Sequence, residues 1–204
     1  ANGEIVRDMK GDPLQMMFNY VSGGTGYEFK GGDAIYEDVN HDGNINQLDI
    51  VYLGNSLPKL TGGFGFKFNY GDWALNAQFN YRYGNKIANV ARMMAENMHG
   101  ADNQSTAVNY RWRKEGDGAN GGHVLPRALY GQGYNWMGSD RFVEDGSFLR
   151  LNYLQLSYGF DSKLVKRIGL SRLNLYVSGE NLFCLTKYSG VDPEVNYGSM
   201  GVTK

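Results

Sequence analysis

From Gly63 the chain alternates strictly, placing Phe64, Phe66, Phe68 and Tyr70 on one side and Gly65, Lys67 and Asn69 on the other. Side chains of a strand point to opposite faces in turn, so this pattern predicts a strand with one apolar face. After the dipeptide Gly71-Asp72 the alternation resumes as WALNAQFNYRY, with Trp73, Leu75, Ala77, Phe79, Tyr81 and Tyr83 in phase. Ala74, Asn76, Gln78, Asn80 and Arg82 take the opposite face. Two alternating runs joined by Gly-Asp predict a tight hairpin. The second run is 11 residues long, beyond the five or six usual in soluble sheets and matching a strand that crosses a bilayer.

A second pair of runs follows. Leu149, Leu151 and Tyr153 are in phase, after which the phase switches to Leu154, Leu156, Tyr158 and Phe160, predicting a bulge near Tyr153. Residues 172–183 alternate again, with Leu173, Leu175 and Val177 opposite Asn174, Tyr176, Ser178 and Glu180. The connection DSKLVKRIGLS leaves room for one helical turn around Leu164 and Val165. The chain thus divides into an N-terminal loop region (1–62), a hairpin (63–83), a long polar loop (84–146), a second hairpin (147–184) and a further loop (185–204).

Short turns alternating with long loops, and aromatics at the strand ends (Tyr70, Trp73, Tyr81, Tyr83), fit antiparallel strands of a transmembrane β-barrel. An antiparallel sandwich with one buried face would alternate equally well. Four strands cannot close a barrel, the smallest of which has about eight, so on the barrel reading they belong to a larger sheet. No stretch approaches the length of an apolar transmembrane helix.

Composition sharpens this picture. The 29 glycines are roughly double the usual share, and 15 Tyr, 10 Phe and 3 Trp accompany them. Twenty basic and 21 acidic residues leave a net charge of -1, which argues against a nucleic-acid partner. The opening ANGEIVRDMKGD carries no signal-type apolar segment, as expected of a cytosolic chain or of a mature or internal piece of a longer one. Cys184, the single cysteine, excludes an internal disulfide and reads as a buried or membrane-facing small apolar residue.

Residues 38–49, DVNHDGNINQLD, match a calcium loop of the EF-hand kind: Asp38, Asn40, Asp42, Gly43, Asn44 and Asp49 fall at positions one, three, five, six, seven and twelve. A hard cation takes six to eight oxygens, alternate residues deliver them, and glycine permits the sharp turn. Asp38, Asn40, Asp42, Asn44 and Asp49 are therefore candidate ligands of a structural calcium ion, with a metal-free Asx turn as the competing reading. The strand-like flanks resemble dockerin loops more than helix pairs.

In the long loop, Tyr110, Trp112, Tyr134 and Trp136 are candidate contacts for a sugar or peptide, or else aromatic pins that compact the loop. VARMMAENMH (90–99) predicts a short helix whose Met93, Met94 and Met98 pack on loop neighbours. Enzyme chemistry is not in evidence: His41, His99 and His123 lack metal-ligand spacing, GGTG (23–26) lacks the lysine of a phosphate loop, and no acid–base carboxylate pair stands out.

VEDGSFLRLNYLQLSYGF (143–160), NLYVSGENLFCLTKYSGVDPEV (174–195), residues 36–85, Arg111-Trp112 and Pro126-Arg127-Ala128 together closely resemble the C-terminal barrel region of SusC/RagA-type TonB-dependent outer-membrane transporters. The resemblance implies an all-β fold, with antiparallel strands of a large barrel (22-stranded in the family) and long extracellular loops. It also implies the outer membrane of a Gram-negative bacterium, a SusD-like lipoprotein partner, and uptake of oligosaccharides or peptides driven by the TonB complex through parts of the chain absent here. Outer-membrane lipid would contact the apolar rows, while Asn76, Gln78, Asn80 and Arg82 would face the plug or lumen. No TonB box, plug or terminal aromatic strand is present, so a segment of such a transporter is expected. The alternative from another class is a secreted soluble β-sheet binding module with a dockerin-like calcium loop.

Overall fold

The computed structural model describes residues 27–117 and 125–194, together with Arg7, 10–12 and 15–16. The chain forms two compact units, one from residues 1–53 and 89–142, the other from 54–88 and 143–204. No helix among the described residues is long and apolar enough to cross a membrane.

The second unit is built on a four-stranded antiparallel sheet. Its strands are β4 (Leu60–Tyr70), β5 (Trp73–Tyr83), β8 (Phe148–Gly159) and β9 (Asn174–Thr186), adjacent in that order. Gly71 takes φ +56 at the first of the two turn residues, the left-handed backbone that lets a two-residue hairpin match the sheet's twist. Cross-strand register puts Phe64 opposite Phe79, Phe68 opposite Leu75 and Tyr70 opposite Trp73, so the apolar rows of both strands share a face. Leu149, Leu151, Leu154, Leu156 and Tyr158 of β8 join that face, as do Leu175, Val177, Phe183 and Leu185 of β9.

The phase switch in β8 is real and local. Gln78 pairs with Tyr153 and the next residue, Phe79, with Leu151, leaving Asn152 unmatched in β5. On the other side Asn152 stands against two β9 residues, because Leu151 pairs with Phe183 and Tyr153 with Glu180. Asn181 absorbs the extra residue with φ +51, and Leu182 lies against Gly179. A bulge that adds one residue restores the apolar row to its own face. Beyond β8, Asp161 caps the short helix α2 (Ser162–Lys166), whose Val165 is buried.

Two features of this unit depart from the sequence reading. Strand β9 runs on to Thr186, and the chain after it turns back over the sheet's polar face, where Asp192 and Glu194 meet Arg150. Cys184, expected among buried or lipid-facing apolar residues, sits on that polar face opposite Arg150 and is partly buried. Its phase in β9 decides its side, whatever its polarity. The small ladder of β6 (Lys86–Ala88) and β7 (Val143–Asp145) completes the unit.

Among its described residues the first unit has little regular structure. Gln15–Met16 (β1), Tyr27–Glu28 (β2) and Asn44–Ile45 (β3) form a minimal sheet, and helix α1 spans Val90–Glu96 with Asn89 as its cap. Two apolar clusters hold it: Phe29 with Ile45, and Met98, Leu125, Trp136 and Phe142. The sequence divides 1–62 from 84–146; the structure instead packs Tyr27–Leu53 with parts of the long loop, since Phe29 and Ile45 carry Tyr134 and Met137 in their cluster. Met98 is buried and Met93 packs against its cluster, whereas Met94 remains 49% exposed.

The bulge makes a specific forecast. Deleting Asn152 should preserve hydrogen-exchange protection across β8. Deleting Leu156 would force Leu154 onto the polar face and Gln155 onto the apolar one, and should abolish protection, since each misplaced large apolar side chain costs about 1.5–3 kcal/mol.

Candidate functional site

Among the described residues three places carry chemistry: the polar face of the sheet, the Asx-rich loop, and the clamp within the first unit.

On the polar face, β5 contributes Asn76, Gln78, Asn80 and Arg82, and β8 contributes Arg150, Tyr153, Gln155 and Ser157. Period two dictates this grouping, since each stands beside an apolar neighbour that points the other way. Arg150 is only 9% exposed; its guanidinium donates to Asp192 Oδ1 at 2.5 Å and lies 3.0 Å from a Glu194 carboxylate oxygen. Asn80 donates to Glu194 at 3.3 Å. Arg82 and Arg150 both stand over the Phe148 ring, with centroid distances of 5.6 and 5.7 Å. Burial works to raise the Asp192 carboxyl, but the Glu194 backbone N–H and the Arg150 guanidinium hold it below its ordinary value. The result is a polar surface on which Arg150 and Asn80 are met by an acidic segment of the same chain.

The Asx-rich loop is closed by its own side chains. Asp38 accepts backbone N–H groups from Asp42 and Gly43, Asn40 accepts from Asp42, and Asp42 accepts from Asn44. Asp49 accepts from Val39 and Asn46, closing a capping box on the 3₁₀ turn Gln47–Asp49. Gly43 and His41 both take positive φ, +84 and +59. Each carboxylate offers about four lone-pair directions, so these bonds leave acceptor capacity for a cation. Among the described residues no group of three His, Cys, Asp or Glu converges as a ligand set. Asn side chains and backbone carbonyls would have to complete any coordination. His123 and residues 23–26 lie outside the described residues.

The loop aromatics divide in two. Trp136 is 5% exposed inside the second apolar cluster, which removes it as a surface contact. Tyr134 stacks on Tyr27 at 4.4 Å and its carbonyl accepts the Tyr36 hydroxyl, so it is largely a pin. Trp112 packs over Gly32, whose missing Cβ would fall 2.3 Å from the indole. Tyr110 alone of the four is open, at 72% exposure. Within the same unit a groove of about 940 Å³ runs between Ile35, Ile50, Trp112, Pro126 and Arg141, a size compatible with a small ligand or peptide side chain.

The clamp went unread in the sequence as a site. The Asp33 carboxylate, its side chain fully buried, accepts from Arg127 Nε at 2.5 Å, the Tyr27 hydroxyl at 2.7 Å, the Lys30 backbone N–H at 2.9 Å and Asn135 Nδ2 at 3.1 Å. Asn135 also donates to the Arg127 carbonyl and accepts from Ala34 N–H. Desolvation favours the neutral acid, but the Arg127 guanidinium and the other donors outweigh it and hold Asp33 below the usual carboxylate range. Burial, then the bond to Asp33, pushes the Tyr27 hydroxyl up to about 12. Of its members the sequence points to Arg127 alone, within Pro126-Arg127-Ala128. Its side-chain partners Asp33 and Tyr27 lie 94 and 100 residues away in sequence, where no periodicity links them.

No family model matches the chain. It is 30% identical over 207 residues to "TonB-dependent receptor P39" of Formosa agariphila, an alignment covering 90% of this chain and 19% of that protein. It is 27% identical over 175 residues to "TonB-dependent receptor SusC" of Bacteroides thetaiotaomicron, covering 81% of this chain and 16% of that one. In fold it resembles the RagAB peptide transporter, with a TM-score of 0.58 and 28% identity over 69% of this chain and 15% of that chain. A closed form of the RagAB peptide importer superposes with a TM-score of 0.59 over 84% of this chain, at 24% identity. The chain spans less than a fifth of the relatives it matches.

Replacing Arg127 with Met should cost the first unit about 3 kcal/mol, the low end for a broken buried pair because Arg127 is itself 27% exposed. With its folded pKa depressed, Asp33 contributes stability in full above its unfolded value of about 3.9 and loses it as pH falls through the folded value. The variant should therefore lose amide protection over residues 27–36 at neutral pH and unfold there at a higher pH on acidification. Wild-type protection and an unmoved acid midpoint would show that the clamp does not stabilise this unit.

Proposed function

This chain is homologous to a segment of the SusC/RagA-type TonB-dependent receptors, and we propose that it forms four adjacent strands in the membrane barrel of such a receptor. The parent protein is an outer-membrane importer of a Gram-negative bacterium, not an enzyme. It takes up oligosaccharides or peptides with a SusD-like lipoprotein and draws on the TonB complex through regions outside these 204 residues.

One observation carries this reading. Phe64, Phe66 and Phe68 are 52, 50 and 60% exposed on a continuous apolar face, while the opposite face is crossed by the chain's own acidic segment. Apolar patches of this extent are rare on monomeric soluble proteins. Hydrocarbon accepts such a face readily, and only closed barrels and helices satisfy every backbone group there. Strands of 11 to 13 residues suit a tilted crossing.

Orientation follows from the connections. The two-residue turn at Gly71-Asp72 and the short link after β8 leave from one end of the sheet, the periplasmic end on this reading, and the long connection 84–147 leaves from the other. The extracellular loops then carry Tyr110 and the groove beside Trp112 toward substrate and lipoprotein. A calcium ion on Asp38, Asn40, Asp42, Asn44 and Asp49 would stiffen one of these loops, adding charge-neutralising bonds to an already ordered turn.

Two experiments test this. In the full receptor, Phe79→Arg should destabilise the inserted barrel by about 2–4 kcal/mol if it lies near the midplane, whereas Asn80→Arg, beside Glu194, should cost much less. Equal costs would mean that the two faces are assigned the wrong way or that lipid touches neither. For the metal, Asp42→Ala should lower bound calcium and speed amide exchange over 36–50; a wild type that binds no calcium removes the ion from the account.

A further inference from the structure

The connection between β8 and β9 is the most highly charged short segment of the wall, and nothing in the transport role accounts for it. Residues 161–172 carry Lys163, Lys166, Arg167 and Arg172 against one carboxylate, Asp161, in a chain whose net charge is -1. None of these four cations has an ion-pair partner among the described residues. The segment is nonetheless well built. Asp161 caps α2 through the Lys163 N–H, Val165 is 2% exposed, and Leu170 N–H returns to the Val165 carbonyl. Gly169, at φ +81, makes that return possible.

Between the cations stand Leu164, Ile168 and Leu170, exposed by 65, 67 and 45%. An ordered turn has no internal reason to present together three exposed aliphatic side chains and four cations that lack an ion-pair partner among the described residues. Both needs are met at a membrane surface: aliphatic groups enter the acyl boundary while lysine and arginine reach the phosphates.

The position fits. The segment joins the end of the sheet where Trp73 packs on Tyr158 at 4.8 Å and Phe160 meets Tyr158 edge-on at 4.9 Å, an aromatic band of the interfacial kind. Its last residues lead directly into Leu173, Leu175 and Val177, the lipid-side row of β9. This end is the one with short connections, hence the periplasmic one.

We propose that residues 161–172 form an anionic-phospholipid docking site, in which Lys163, Lys166, Arg167 and Arg172 hold headgroup phosphates of the periplasmic leaflet and Leu164, Ile168 and Leu170 insert beneath them. The site rests on the barrel reading above. It fixes the depth of this part of the wall, because the cations cannot follow the apolar row into hydrocarbon. Each cation near an anionic surface adds attraction that salt screens.

The test is hydrogen exchange on the full-length receptor in nanodiscs of phosphatidylethanolamine alone or with phosphatidylglycerol. Amides of 161–172 should exchange at least about tenfold more slowly with phosphatidylglycerol, and high salt should erase most of the difference, as expected for several cations at an anionic surface. The variant K163Q/K166Q/R167Q/R172Q should show no lipid dependence, with β5 and β8 protected as in wild type. Identical exchange of wild-type 161–172 in both lipids would overturn the proposal. So would protection by lipopolysaccharide alone, which would place the turn in the outer leaflet. Loss of protection in β5 and β8 of the wild-type receptor in either lipid would instead indict the barrel reading. If the variant fails to insert, the lipid and salt dependence of the wild type decides alone.

Discussion

In a hydrogen-bonded sheet, successive side chains must leave by opposite faces, and no residue can change face unless the backbone spends an extra position on it. The two-faced character of the sheet follows from that constraint. It puts Phe64 beside Phe79 and Lys67 beside Asn76, so that one sequence makes an apolar face and a polar face at once. It is also why Asn152 stands unmatched: were it paired in strict alternation, either Leu149 and Leu151 or Leu154 and Leu156 would turn toward the arginines. Asn181, in a left-handed backbone that asparagine tolerates better than most residues, makes the matching concession in β9.

The polar face is organised by charge rather than by packing. Arg150 is nearly buried, and a buried guanidinium is tolerable only where anions and aromatic faces replace water. Asp192 and Glu194 supply the anions and Phe148 the ring. The segment that follows β9 therefore has a fixed seat on the sheet. In the other unit Asp33 plays the corresponding part, gathering Tyr27, Lys30, Arg127 and Asn135 around one carboxylate. Two irregular segments with few regular hydrogen bonds thereby acquire a common, rigid centre.

What could be read from the sequence was what has a period. The 63–83 hairpin, the bulge near Tyr153, the helical turn at Leu164 and Val165 and the two faces of the sheet are all local patterns, and the coordinates place them to within three residues, the first strand beginning at Leu60. The clamp was invisible because its members are set by loop conformation, and an aspartate after two glycines looks like any turn. Of the two roles open to Trp136, a recognition contact and a pin that compacts the loop, burial selects the pin. An indole flanked by polar loop residues resembles a recognition group, yet a loop of this length needs its own core, and the tryptophan supplies it. Cys184 shows the limit of hydropathy: its face is decided by register with Arg150.

The central claim is that the aromatic and leucine rows touch lipid tails and their neighbours do not. Spin labels placed one at a time along residues 64–69 and 75–80 of the reconstituted full-length receptor measure this directly, through collisions with oxygen, which partitions into hydrocarbon, and with a water-soluble nickel chelate. Oxygen accessibility should rise and fall with a period of two, peaking at positions 64, 66, 68, 75, 77 and 79, with the nickel signal low at each peak. Uniformly low accessibility to both reagents at those positions would mean that the rows are packed against protein, and would contradict the account.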